Sequence, residues 1–99
     1  MVVVVARIKA KQECADEVAG HFREMVGWVA ANEPATLTYA CNRSQSDAGE
    51  FVFFERYADM DAFQAHSASA RFRELMGQLK GKLAAAPVIE MLDEVAAKL

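Results

Sequence analysis

Residues 2–8, Val-Val-Val-Val-Ala-Arg-Ile, are β-branched almost without interruption, and this run narrows the folds open to the chain. β-Branched side chains lose χ1 freedom in a helix and pack well on a pleated surface. A strand apolar on both faces needs cover on both faces. A second such segment stands at 51–57, Phe-Val-Phe-Phe-Glu-Arg-Tyr, where Phe51 and Phe53 point one way and Val52 and Phe54 the other.

The residues between and after these strands read in order. From Asp16, the residues Val18, Phe22, Met25, Val26 and Val29 recur at helical spacing; Asp16 and Glu17 suit the positive end, and Asn32 before Pro34 stops the helix. Residues 36–42 alternate as a strand, 43–50 carry the Ser, Asp and Gly of a loop, and 51–57 complete an antiparallel hairpin. Asp59 can cap a short helix bearing Phe63 and His66, and Ser69 a second with Phe72, Leu75, Met76, Leu79 and Leu83 on one face. Pro87 closes the helical region, and residues 88–95 make a last strand at an edge or reaching to a partner. The order βαββαβ predicts one α+β domain over residues 1–99, ferredoxin-like, with an antiparallel sheet and its helices on one side.

Helices on one side leave the other sheet face bare. An apolar patch of that size is rare on soluble monomers, and a hydrophobic fraction of 54% is above the average for a globular chain. A two-fold homodimer with the bare faces packed together is therefore expected. The formal charge of −3 and the lack of a basic cluster argue against nucleic acid. No apolar run is long enough to span a membrane. Cys14 and Cys41 form neither a disulfide framework nor a CxxC pair, and no signal-peptide pattern opens the chain, so a cytoplasmic protein with reduced thiols is expected. No nucleotide-binding or metal motif is present, and no cofactor is expected.

The segment from Glu55 to Phe72, read as E-R-Y, A-D, A-F-x-x-H and S-x-x-F, resembles the antibiotic biosynthesis monooxygenase family, and the similarity extends over essentially the whole chain. The resemblance implies a dimeric α+β barrel with a pocket between the sheet and the broken helix. It also implies oxygenation of anthrone or quinol-type aromatics without metal, flavin or haem, although relatives handle other substrates and fold predicts reaction poorly; the alternatives are a non-oxidative isomerase or degradative enzyme acting on a small oxygenated metabolite, with a histidine shuttling the proton, or a non-catalytic ligand-binding dimeric domain. Two departures stand out. Relatives often have histidine where this chain has Arg71, and the haem-degrading branch has tryptophan at His66 and an axial histidine at Met76, so haem degradation is not expected here.

His66 is the catalytic candidate. It shares a helix face with Ala62 and Phe63, and an imidazole accepts a phenolic or anthrone proton near neutral pH; the alternative is a histidine that orders the break between the helices. Arg7 interrupts an apolar strand, so its guanidinium needs a partner. It either binds an anionic substrate group or pairs with Glu55 across the strands, the pairing being the simpler role. Tyr57 can hydrogen-bond a phenolic oxygen, and Phe63, Phe72 and Met76 can line a cavity that accepts a small aromatic molecule, though such stripes also serve as plain core.

Overall fold

The structure, a computed structural model, describes every residue from 1 to 99. Its strands are β1 (Val2–Lys9), β2 (Thr36–Arg43), β3 (Glu50–Tyr57) and β4 (Val88–Asp93), and its helices are α1 (Ala15–Asn32), α2 (Met60–Ala68) and α3 (Ala70–Leu79). The sheet is antiparallel throughout, in the order β2-β3-β1-β4. This is the ferredoxin-like α+β arrangement, with β1 and β3 in the centre as their two-sided apolar sequences require.

The element ends follow from local chemistry. Asp59 caps α2, its carboxylate accepting from the Ala62 amide at 2.8 Å. Ser69 sits in extended conformation between α2 and α3, and its hydroxyl accepts from the Phe72 amide at 3.1 Å while donating to the His66 carbonyl at 2.8 Å. One side chain thus closes one helix and opens the next. The third helix ends at Leu79 and not at Leu83, because Gly81 turns the chain with φ of 79°. Leu83 instead bridges Ala10 beside the sheet. A 3-10 turn at Gln12–Cys14, which the helical periodicity did not reveal, precedes α1.

The core lies between the sheet and the helices. Phe22 of α1 is fully buried, edge-on to Phe51 at 5.1 Å and Phe53 at 4.9 Å, an arrangement that aligns positive ring edges with negative faces. Val18, Met25 and Val29 of α1 and Leu75 and Leu79 of α3 complete it. Val4, Ala6 and Ile8 point towards this core, whereas Val5, Arg7 and Lys9 point to the other face, which no helix covers. There Phe54 is 40% exposed, Leu92 38% and Val88 59%. The segment after β4 folds back over one corner of that face, where the Glu94 carboxylate takes Arg56 Nη2 at 2.7 Å.

Candidate active site

A cavity of about 190 Å³ lies where the sheet meets the broken helical segment. Val4, Ala6 and Ile8 of β1 and Phe53 of β3 form one wall, and Phe63, Phe72, Leu75 and Met76 the opposite one. The walls are apolar except for Tyr39, Glu55, His66 and Ser67. The Ser67 hydroxyl is committed to the Phe63 carbonyl at 3.0 Å. Tyr39, Glu55 and His66 are left to meet a ligand.

His66 projects from α2 and is 3% exposed. Its ring is packed against Tyr39, Phe72 and Tyr57, with centroids 5.0, 5.4 and 5.6 Å away. Nδ1 meets the Glu33 carboxylate at 2.8 and 3.1 Å. A carboxylate only accepts, so Nδ1 carries the hydrogen and the neutral ring is a base at Nε2. Nε2 makes no hydrogen bond within the chain. Glu33 follows the last residue of α1, where the backbone turns towards Pro34, and it also accepts from the Thr36 hydroxyl at 2.7 Å. The Thr36 bond therefore holds the carboxylate that orients the imidazole, as in acid–histidine pairs of hydrolytic sites.

Glu55 is another buried ionisable group at the cavity, 6% exposed on the cavity side of β3, directly across from Val4 and Tyr39. Burial pushes its carboxyl above the ordinary glutamate range, although the Tyr57 hydrogen bond and nearby His66 oppose that shift. The Tyr57 hydroxyl donates to Oε1 at 2.5 Å. Burial likewise raises the Tyr39 and Tyr57 phenols well above their usual range, so both stay protonated.

Of the residues singled out in the sequence, His66, Phe63, Phe72 and Met76 are brought together around the cavity. Tyr57 stands behind the wall, fully buried, with its hydroxyl spent on Glu55 and its ring edge-on to Phe63 at 5.3 Å. Arg7 is on the other sheet face, exposed, between Val52 and Val88. The expected Arg7–Glu55 pair does not form, because Glu55 registers with Val4, and residues an odd number apart on one strand face opposite ways. Sequence reasoning missed Glu33 altogether. Its position in a helix stop reads as solvated, and nothing along the chain signals that it meets a residue 33 positions later. No cluster of three or more His, Cys, Asp or Glu side chains is placed to hold a metal ion, and no helix is long and apolar enough to cross a membrane.

The fold has close counterparts among solved structures. A crystal structure from Caulobacter crescentus CB15, assigned by name to the antibiotic biosynthesis monooxygenases, is 36% identical, with 96% of this chain and 90% of that one covered and a TM-score of 0.91. Another structure of that name is 30% identical, with 97% and 100% covered and a TM-score of 0.89. Rv0793 from Mycobacterium tuberculosis, at 22% identity, 97% and 96% covered and a TM-score of 0.87, shares the fold. No curated protein matches the chain. The family model described as antibiotic biosynthesis monooxygenase matches residues 1–78, and the chain belongs to that family.

Proposed function

We propose that the protein is a monooxygenase or oxidase that acts on a quinol- or anthrone-like aromatic molecule with molecular oxygen and without metal, flavin or haem. The observation that carries this reading is the His66 imidazole, held through Nδ1 by Glu33 and with Nε2 unengaged at the wall of an apolar cavity. Removing a phenolic or benzylic proton there creates an electron-rich anion, which reduces oxygen directly. Oxygenation of a methylene to a carbonyl consumes one O2 and releases one water; oxidation of a quinol to a quinone consumes one O2 and releases one hydrogen peroxide. A cavity of roughly 150 Å³ is enough for a benzene ring, so about 190 Å³ suits a small ring system, with larger ones projecting from the mouth.

The working unit is a homodimer in this reading. Phe54, Leu92 and Val88 are exposed on the uncovered sheet face, and packing two such faces about a two-fold axis removes them from water. Light scattering at micromolar concentration is expected to show a dimer, and Phe54→Glu to shift it to monomer.

The catalytic test is oxygen uptake by purified protein with reduced naphthoquinols and anthrones, beside His66→Ala and an autoxidation control. General-base removal is expected to slow uptake by about 100-fold or more. Uptake no faster than autoxidation would refute the oxygenase reading, and an unchanged rate in a folded His66→Ala would remove His66 from the mechanism.

A further inference from the structure

The cavity holds a second proton-bearing group whose place is defined as tightly as that of His66. Glu55 is buried among apolar side chains, and no lysine or arginine pairs with it. Its Oε1 already accepts the Tyr57 hydroxyl. A protonated carboxyl whose carbonyl oxygen is so occupied carries its hydrogen on the other oxygen, Oε2. Glu33, by taking the hydrogen of Nδ1, leaves Nε2 of His66 as acceptor. Glu33 thus makes Nε2 of His66 an acceptor, while burial without a cationic partner favours the protonated, donating form of Glu55 in the same cavity, against the pull of the Tyr57 hydrogen bond. The other ionisable groups facing this pair are Tyr39 from β2, Tyr57 from β3 and Glu33 beyond His66, with Arg71 of α3 close to Tyr39.

We infer that His66 and Glu55 form an acid–base pair that interconverts the keto and enol forms of a benzo-fused ketone, a step that needs no oxygen. Nε2 removes the proton from the carbon beside the carbonyl. The C–H electron pair becomes the new C=C bond, and the carbonyl π pair takes the Oε2 hydrogen of Glu55, so the C=O becomes C–OH. An imidazolium, a carboxylate and a neutral enol result, and the proton returns from Nε2–H to Oε2 through solvent as the enol departs. Atoms and charge balance with no oxidant. The substrate class follows: an apolar ring system that bears an acidic C–H next to a carbonyl, because no lysine or arginine is among the lining side chains, although Arg71, its Nη1 buried and unpartnered, stands beside Tyr39. This rests on the cavity being the active site; in an anthrone-type substrate the acidic C–H is conjugated to the carbonyl through the ring, and the same two proton transfers give the enol that meets oxygen.

The test is deuterium uptake at the benzylic carbon of 2-tetralone, a two-ring ketone, followed by proton NMR in D2O under argon. The protein is expected to accelerate exchange over buffer, and Glu55→Gln and His66→Ala each to slow it by about 100-fold. The pH–rate profile should have two limbs in the wild type and one in Glu55→Gln. If Glu55→Gln does not fold, Tyr57→Phe serves: it removes a hydrogen bond that favours the carboxylate, so the Glu55 limb should move to higher pH, and an unmoved limb would overturn the assignment. Exchange no faster than buffer, with catalysed oxygen uptake intact, overturns the keto–enol proposal and leaves the oxygenase reading standing. Catalysed exchange without oxygen uptake by any aromatic upholds the proposal and defeats that reading. A folded Glu55→Gln exchanging at the wild-type rate overturns the role of Glu55.

Discussion

Replacing Glu33 by leucine tests the link between fold and site most directly. Leucine matches the bulk of glutamate and keeps water away from Nδ1, so the buried imidazole N–H faces methyl groups. A buried donor left without a partner costs about 1–3 kcal/mol, and loss of the Thr36 bond about 1 kcal/mol more. The sum is about 2–4 kcal/mol. In a chain of 99 residues, each kcal/mol lowers Tm by about 4–8 °C, so the variant should melt at least roughly 8 °C below the wild type. Glu33→Gln separates charge from geometry. Its side-chain carbonyl still accepts from Nδ1, and its Tm should fall by less than half as much. It loses the negative charge that steadies the imidazolium, and since charge-assisted bonds are about twice as strong as neutral ones, turnover should fall about tenfold. Thermal unfolding by circular dichroism and oxygen uptake measure the two effects. A Glu33→Leu variant melting within about 3 °C of the wild type would refute the claim that this carboxylate supports His66.

Three further outcomes are expected. Phe53→Ala removes a ring that is 2% exposed and packed on both Phe22 and Tyr39, and urea unfolding should show a loss of about 3–5 kcal/mol; a loss below about 1 kcal/mol would contradict the packing described. Ser69→Ala deletes the cap shared by α2 and α3, so stability should fall by about 1 kcal/mol and turnover with it, because the same hydroxyl holds the His66 carbonyl; full activity would show that the break does not position the histidine. The raised pKa of Glu55 means that the folded chain binds its proton more tightly than the unfolded chain. The stability linked to it is complete below the ordinary glutamate range and is lost as pH rises through the raised value. Urea midpoints should therefore decline across that window in the wild type and stay flatter in Glu55→Gln; parallel curves would place the Glu55 carboxyl outside the buried environment.

Much of the architecture is legible along the chain because its causes are local. The two-sided apolar strands at 2–8 and 51–57, the stop at Pro34 and the caps Asp59 and Ser69 each act within a few residues, and the elements appear where these signals place them. The candidate site is legible only in part. Helical spacing pairs Phe63 with His66 on α2 and Phe72 with Met76 on α3, and the packing of the two helices brings both pairs to the cavity. Arg7 lies away from the cavity because strand pairing, absent from the sequence, decides which face a residue joins. Val4 and not Arg7 is opposite Glu55, and this register sends the guanidinium to the uncovered face.

By itself, the sequence determined the βαββαβ order, the centrality of the Val-rich strand and the break that presents His66, since all three arise from side-chain periodicity and capping within short stretches of chain. Tertiary structure alone decided the chemistry of the cavity. It brought Glu33 from the end of α1 to Nδ1 of His66 and set Glu55 on the cavity side with Tyr57 on its Oε1. A proton's position depends on the nearest partner in space, and those partners meet only when α1, β3 and α2 pack together.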